Sequence, residues 1–140
     1  MKIQVVLEKP KRGKYSIYAV CSTRGNCELL DFLYDLDNNL EKSREALLAT
    51  ISRAASHGRE GLSVQKCHNI ADEIFQFSGG KLRAAWFYDK GSMIICTHAY
   101  KKTGNKTKAV DKKRAIAARE AYFEAKKNGD IEILPDEERT

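Results

Sequence analysis

The chain has 140 residues and a mass of 15.8 kDa, a size at which a single hydrophobic core is the usual outcome. Its apolar fraction of 42% can form that core without disulfide or metal staples. The sequence has neither the long apolar run of a membrane-spanning helix nor a signal-peptide pattern at its start, so membrane and secreted classes of protein lose support. We therefore expect a cytoplasmic protein, and the net charge of +6 favours a polyanionic partner.

The first half of the sequence predicts a β-hairpin followed by two helices. Apolar residues alternate over positions 3–7 and again over positions 15–22, with a Pro-Lys-Arg-Gly turn between them. Helical apolar spacing over residues 29–36 marks a short amphipathic helix, and a second apolar stripe begins at Leu40 and ends before Gly58. We expect these two helices to pack against each other as an αα unit.

The second half predicts three strands and a long helix. A helix is expected over residues 109–127, with Thr107 as its N-cap and Asn128-Gly129 at its end. The region before it holds a loop and then short apolar runs separated by glycine-containing turns. The three strands are expected over residues 74–77, 82–88 and 93–100.

The end of the chain, residues 129–140, is acidic and is expected to form a tail whose last residues are mobile. Its apolar residues Ile131, Ile133 and Leu134 can add an edge strand. No repeat or long linker divides the remainder, so we predict one domain over residues 1–128. Because strands and helices are segregated along the chain, we predict an α+β fold with a mainly antiparallel sheet.

The cysteines also favour a reducing compartment. They form no Cys-x-x-Cys pair and lie in or beside apolar segments, so we interpret them as reduced structural thiols. A metal site made from Cys67, His68, Cys96 and His98 would lack any familiar ligand spacing. We therefore predict neither a metal nor a cofactor.

The positive charge is concentrated in one segment. Residues 1–78 hold 11 basic and 10 acidic side chains, residues 79–128 hold 13 and 4, and residues 129–140 hold 1 and 5. Aromatic rings among lysines and arginines suit RNA bases and phosphates, although most of these rings are expected in the core. The aromatic residues of the basic segment are Trp86, Phe87, Tyr88, Tyr100, Tyr122 and Phe123.

Two motifs of this segment carry a family resemblance: GKLRAAWFYDKG at residues 80–91 and THAYKKTGNKT at residues 97–107. Together they resemble the phage-derived, HigB-like toxins of the RelE/ParE superfamily, and the resemblance extends over about residues 15–127. It implies a small curved antiparallel sheet packed against an N-terminal helical pair and a C-terminal helix. It also implies the toxin of a type II toxin–antitoxin system, a class in which many members are ribosome-dependent endoribonucleases that cut mRNA. The implied partners are ribosome-bound mRNA and a cognate antitoxin, a helix-turn-helix DNA-binding protein.

The same resemblance implies roles for individual residues. Arg83 matches a strand arginine that contacts the scissile phosphate in the cleaving members, and Lys101 and Lys102 match basic positions after the last strand. The sequence departs from the family pattern at two points. The usual LYELR strand reads IFQFS at residues 74–78, so Ser78 replaces a basic residue, and the proline that commonly follows the lysine run is absent.

The candidate catalytic residues follow from what RNA cleavage needs when a 2′-hydroxyl attacks its own phosphate. A proton must be removed, the extra charge of the phosphorane stabilised, and the leaving oxygen protonated. Arg83 can stabilise the phosphorane, and Lys101 and Lys102 can hold flanking phosphates. His98 is the better proton acceptor, because an imidazole titrates near pH ~6.5 and a phenol near pH ~10. Tyr100 can instead stack on an RNA base. The lysines expected to bind RNA through a diffuse field are Lys81, Lys106, Lys108, Lys112 and Lys113.

The register of the last hairpin decides which of these side chains share a face. A two-residue loop at Lys90-Gly91 would pair Arg83 with His98 and place Tyr100 and Lys102 on the same face. A three-residue loop over residues 89–91 would put Arg83 opposite Thr97 and turn His98 away. We favour the first because two-residue hairpin loops are the commonest.

Three functions fit the sequence. The first is a toxin that cleaves mRNA in the ribosomal A site, which the combination of Arg83 with Lys101 and Lys102 favours. The second is a non-enzymatic, ParE-like inhibitor of DNA gyrase. The third is a phage RNA-binding module that keeps the fold without cleaving, a reading that Ser78 supports.

Overall fold

The structure, a computed structural model, describes residues 1–104 and 106–135. Within them the chain forms seven β-strands, three α-helices and two short 3₁₀ turns, the latter at Asn38–Leu40 and Arg59–Gly61. No helix of this part of the chain is long and apolar enough to cross a membrane. The elements, in chain order, are β1 (Lys2–Leu7), β2 (Ser16–Cys21), α1 (Glu28–Tyr34), α2 (Glu41–His57), β3 (Cys67–Ala71), β4 (Ile74–Gly79), β5 (Leu82–Asp89), β6 (Met93–Lys101), α3 (Ala109–Lys127) and β7 (Glu132–Leu134).

The strands form one sheet in the order β3-β4-β5-β6-β2-β1-β7. The four hairpin pairings are antiparallel, whereas β2 pairs with β6 and β1 pairs with β7 in parallel. The predicted α+β class with a mainly antiparallel sheet is therefore confirmed. The edge strand expected near Ile133 is also present as β7, while the last residues of the acidic tail, 136–140, lie outside the described residues.

The sheet separates two apolar cores because its side chains alternate between faces. On one face α1 and α2 cover a core centred on Trp86, which stacks on Phe77 with ring centroids 4.6 Å apart. On the other face α3 covers a smaller core that includes Phe87 and Tyr122. All four cysteine side chains are buried.

The two N-terminal helices pack mainly on the sheet and not on each other, so the predicted αα unit is wrong. Helix α1 lies over β2 and β6, and α2 lies over β4 and β5. The contact between them includes a hydrogen bond from Arg44 Nη1 to the Leu33 carbonyl oxygen, 3.2 Å long. The sheet is wide enough for each helix to bury its apolar stripe on strands, which removes the need for a helical pair.

Strand β3 occupies the region before Ile74, where the sequence predicts a loop. It forms an antiparallel hairpin with β4 through a tight turn in which Glu73 has a φ of 52°. The strand is short and half-polar, and its turn has no glycine, so neither periodicity nor turn chemistry marked it. Its presence moves His68 from an expected loop onto the sheet, directly opposite Gln76.

The loop of the β5–β6 hairpin differs from both loops that the sequence allowed. Asp89 pairs with Met93, so the loop consists of three residues, 90–92. Gly91 and Ser92 adopt φ values of 78° and 67°. Successive left-handed residues after Lys90 lengthen the turn by one residue beyond the favoured two-residue form.

A β-bulge in β6 then changes the register again. Ala85 pairs with His98 and the next pair on β5 skips Thr97, so Thr97 is an extra residue on its strand. Arg83 consequently pairs with Tyr100, and not with His98 or Thr97 as the two sequence alternatives had it. The face assignment of the favoured alternative is nevertheless confirmed, since Arg83, His98 and Tyr100 lie on the side of the sheet that α3 covers.

Helix α3 covers the predicted residues, but Thr107 is not its N-cap. Lys108 occupies the cap position and makes no side-chain cap hydrogen bond. Thr107 Oγ1 instead donates a hydrogen bond to Gln76 Oε1 at 2.8 Å. The hydroxyl satisfies a buried amide of the sheet in preference to the helix end.

Candidate functional site

A groove of about 460 Å³ runs along the ends of β4, β5 and β6, on the face that α3 covers. The loop between β6 and α3 forms one wall and the β3 side of the sheet forms the other. We call it the basic groove. Its lining includes Arg83, Tyr100, Lys101, Lys102, Lys106, Lys108, Thr107, Asp111, Gln76, Ser78, Val64, Gln65 and His68.

Arg83 lies on the floor of the basic groove and is held by backbone carbonyls. Its Nη1 donates hydrogen bonds to the carbonyl oxygens of Gly80 and Leu82, both at 2.8 Å. Burial lowers the pKa of Arg83 and nearby Tyr100 opposes that shift, but a guanidinium remains charged in proteins. The rest of the guanidinium fork makes no hydrogen bond to a described residue, so it can bind an anion.

Tyr100 stands opposite Arg83 on β6 and is locked by hydrogen bonds at its hydroxyl. The hydroxyl donates to Gln76 Oε1, the same atom that accepts from Thr107. Burial raises the pKa of Tyr100 to about 12. The phenol is therefore protonated at neutral pH and is not a ready base, but its ring borders the groove.

His98 lies beneath Tyr100 and is only 1% exposed. Its Nδ1 is 2.9 Å from Thr97 Oγ1 and its Nε2 is 3.1 Å from Asp111 Oδ1. Burial lowers the pKa of His98, although Asp111 opposes the shift. Both ring nitrogens thus have partners within the protein, and the side chain ties β6 to the first turn of α3.

The structure divides the lysines predicted for catalysis and for RNA binding into two groups. Lys101, Lys102, Lys106 and Lys108 line the basic groove. The remaining three lie away from that lining: Lys81 is exposed next to the β4–β5 turn, and Lys112 and Lys113 lie on α3.

One wall of the groove is neutral and polar, and of its residues only Ser78 is marked by the sequence. Gln76 and Ser78 are buried residues of β4, and Ser78 Oγ has no hydrogen-bond partner among the described residues. Ser78 pairs directly with Arg83, so the position that is basic in the family pattern holds a small buried donor here. His68 completes this wall. Its position in the groove could have been predicted only if β3 had been recognised as a strand.

A second groove of about 740 Å³ opens where β2 and β6 separate, between α1 and α3. Its α1 wall carries Glu28, Asp31 and Asp35, and Arg114 of α3 forms an ion pair with Glu28 across it. His98 and Lys101 also reach this groove. The two grooves differ in charge, and a polyanion is expected to enter the basic one.

The site is thus a groove on a mainly antiparallel sheet flanked by helices, and its guanidinium and ammonium groups can bind phosphate. Among the described residues, no group of three or more His, Cys, Asp or Glu side chains could hold a metal ion. Residues 32–120 match the model of the family described as phage derived protein Gp49-like (DUF891). The chain therefore belongs to this phage-derived family, a RelE-like family associated with toxin–antitoxin systems. A search of curated proteins finds no match.

Proposed function

We propose that the protein is a HigB-like toxin of a type II toxin–antitoxin system and an endoribonuclease that cleaves mRNA on the ribosome. The observation that carries this proposal is the pairing of Arg83 with Tyr100 on the floor of a groove lined by four lysines. A guanidinium with free donors among ammonium groups is suited to a phosphate backbone. Membership of a toxin–antitoxin-associated family supports the same function.

In the proposed reaction Arg83 binds the non-bridging oxygens of the scissile phosphate and stabilises the charge that develops on the phosphorane. Lys101 and Lys102 hold the flanking phosphates, and the ring of Tyr100 contacts the adjacent base. The 2′-oxygen forms a bond to phosphorus while the bond to the 5′-oxygen breaks. The products are a 2′,3′-cyclic phosphate and a 5′-hydroxyl end, and no cofactor is needed.

The proposed partners follow from the same charges. The ribosomal A site supplies ordered mRNA and negative charge, and so positions the substrate. A cognate antitoxin, of the helix-turn-helix DNA-binding class, would neutralise the toxin by ordering an acidic segment over the basic groove. Because both proposed partners are cytoplasmic, we propose that the protein acts in the cytoplasm.

The test is expression in bacteria of the wild type and of Arg83→Ala, with Arg12→Ala as the matched control because Arg12 is exposed in the β1–β2 turn. We expect growth arrest with cleaved mRNA for the wild type and for Arg12→Ala, and normal growth for Arg83→Ala. Arrest with intact transcripts and damaged DNA would contradict the proposal and favour a ParE-like gyrase inhibitor.

A second candidate is an RNA-binding module of the same fold that does not cleave. It is favoured by the placement of His98, whose two ring nitrogens are engaged with Thr97 and Asp111, and by Ser78 in place of a basic residue. Under this candidate the wild type would bind RNA in a salt-dependent manner and leave growth and transcripts unchanged.

A further inference from the structure

Cleavage by a 2′-hydroxyl needs a group that accepts its proton, and the two residues expected to do so are both engaged elsewhere. His98 is buried, with Thr97 and Asp111 on its ring nitrogens. Tyr100 donates its hydroxyl proton to Gln76, and its pKa is raised to about 12 by burial. Neither side chain is free to take a proton from RNA in the basic groove.

Among the described residues that line the basic groove, His68 is the one with an imidazole side chain. It lies on β3 directly opposite Gln76, so its side chain points to the same face of the sheet as Gln76 and Arg83. The side chain is partly exposed and lines the groove. Its ring nitrogens make no hydrogen bond to any residue in the described part of the chain, in contrast to those of His98.

The sheet sets the distance between His68 and Arg83. Strand β4 lies between β3 and β5, and the β5 residue across from His68 is Ala85, two residues along the strand from Arg83. Two strand spacings and this offset along the strand separate the Cα atoms of His68 and Arg83 by about 12 Å. Side chains that reach inward from both ends of this span can contact one nucleotide, since a reacting 2′-oxygen lies about 3–3.5 Å from its phosphorus. The arginine would hold the phosphate while the imidazole approaches the ribose.

We propose that His68 is the general base of the groove and that it accepts the 2′-hydroxyl proton of the nucleotide whose phosphate Arg83 binds. This inference rests on the proposed RNA-cleaving function and assigns a residue that the family motifs did not mark. The proton moves from the 2′-oxygen to the imidazole as the oxygen–phosphorus bond forms. The bond from phosphorus to the 5′-oxygen breaks, and that oxygen leaves with a proton supplied by the solvent.

The charged and titratable groups that face His68 across the groove come from three elements and a loop. Strand β5 contributes a guanidinium, β6 a phenol and an ammonium, the following loop three ammonium groups, and α3 a carboxylate that is engaged with His98. They are Arg83, Tyr100, Lys101, Lys102, Lys106, Lys108 and Asp111.

The experiment is single-turnover cleavage of ribosome-bound mRNA between about pH 5 and 8, the range in which imidazole titrates. It compares the wild type with His68→Gln, which keeps a polar side chain but cannot transfer the proton, and with His57→Gln as control, because His57 is exposed at the end of α2. We expect the wild-type rate to rise with pH to a plateau. His68→Gln should be slower by about 10²–10⁴-fold and lack that rise, while His57→Gln behaves as the wild type.

Binding of an RNA with a 2′-deoxy nucleotide at the cleavage site separates catalysis from substrate binding. The dissociation constant should be the same for the wild type and His68→Gln, and circular dichroism should show that both are folded. If His68→Gln cleaves at the wild-type rate and with the wild-type pH profile, His68 is not the general base, but the proposed RNA cleavage stands. The same conclusion follows if His68→Gln loses only affinity for RNA. A wild type that cleaves no mRNA on ribosomes would overturn the proposed function itself.

Discussion

Asp89 is a buried carboxylate at the end of β5 that fastens the C-terminal half of α3. It accepts hydrogen bonds from Tyr122 Oη at 2.5 Å and from the Lys90 backbone nitrogen at 2.7 Å. Lys126 Nζ lies 2.7 and 2.9 Å from its two oxygens. Burial by itself raises the pKa of Asp89, but the three donors outweigh burial and hold that pKa below its usual value.

Asp89→Asn is expected to lower the free energy of unfolding by about 2 kcal/mol at neutral pH, because hydrogen bonds to a charged group are lost at a buried site. Tyr122→Phe removes one donor and should cost about 1 kcal/mol. Urea titration measures both.

Since the pKa of Asp89 is lower in the folded state, its contribution to stability is full above about pH 4 and is lost as the pH falls further. A mutant deficit that is equally large at pH 7 and pH 3 would contradict this role.

The first half of α3 is held to the sheet by polar contacts more than by apolar burial. Val110 is 66% exposed and Ile116 is 37% exposed, whereas Ala115 is buried. The hydrogen bond from Thr107 to Gln76 and the contact of Asp111 with His98 join this end of the helix to β4 and β6. The wall of the basic groove therefore depends on these contacts.

This attachment predicts an acid-sensitive stability. The pKa of His98 is lower in the folded protein, so its neutral form is favoured there and the unfolded chain binds the extra proton first. The contribution of His98 is therefore full above about pH 6.5 and is lost as the pH falls below it. The melting temperature should decline from about pH 7 to 5, the window set by imidazole, in the wild type and in His57→Gln. His98→Gln should lack that decline, and an identical decline in all three proteins would contradict the prediction.

The contact between α2 and β4 leaves no space for a side chain at Gly79. A Cβ atom there would lie 2.1 Å from the Leu47 backbone nitrogen, and close by Thr50 Oγ1 donates to the Ser78 carbonyl oxygen at 2.9 Å. The helix backbone therefore rests directly on the strand. The approach also fixes the position of Ser78, which pairs with Arg83, relative to α2.

Gly79→Ala should lower the free energy of unfolding by about 3 kcal/mol, because the added methyl group forces α2 away from the sheet. Gly91→Ala is the matched control, since no atom lies within 4 Å of a Cβ there and only its positive φ opposes the change. It should cost about 1 kcal/mol. Urea titration of both proteins tests the difference, and equal losses would show that the close approach is unimportant.

At the scale of the whole molecule, the charge is sorted between two grooves. The basic groove lies at the ends of β4 to β6 and the acidic-walled groove lies beside α1. A single-stranded polyanion should bind in the first and release counterions as it does so. Affinity for RNA is thus expected to fall steeply with salt.

Replacement of both Lys101 and Lys102 by alanine should weaken RNA binding and reduce the slope of log affinity against log salt by about 1.4, near 0.7 per phosphate contact. The same double replacement at Lys9 and Lys11, which are exposed near the β1–β2 turn, should leave the slope unchanged. Fluorescence anisotropy with a labelled RNA measures both slopes. Equal slopes for the two double variants would indicate a diffuse field with no defined groove.

The sequence allowed the fold class and the shared face of Arg83, His98 and Tyr100 to be predicted, because apolar alternation and helical spacing report burial directly. It did not reveal the hairpin partner of Arg83. That partner depends on an extra loop residue, Ser92, and on the bulge at Thr97. Each shifts the register by one residue, so together they change the partner of Arg83 but leave the same side chains on its face of the sheet. Such irregularities leave no periodic signal.

Burial of polar residues was equally hidden from sequence reasoning. The sequence gives no sign that His98 is buried against Asp111, because packing of α3 on the sheet brings the two side chains together. His98 was therefore predicted to be an accessible base. His68 looked like a loop residue because β3 has few apolar residues to mark it. The polarity of a side chain can be read from sequence, but its access to substrate is a property of the assembled sheet.

Cleavage of ribosome-bound mRNA at Arg83 is tested most directly by primer extension on mRNA in a reconstituted bacterial translation reaction, with the wild type, Arg83→Ala and Arg12→Ala added separately. We expect new 5′-hydroxyl ends within codons in the ribosomal A site for the wild type and Arg12→Ala. We expect none for Arg83→Ala, although that variant remains folded. Cleavage that persists in Arg83→Ala, or intact mRNA with the wild type, would show that the protein does not cleave mRNA through Arg83.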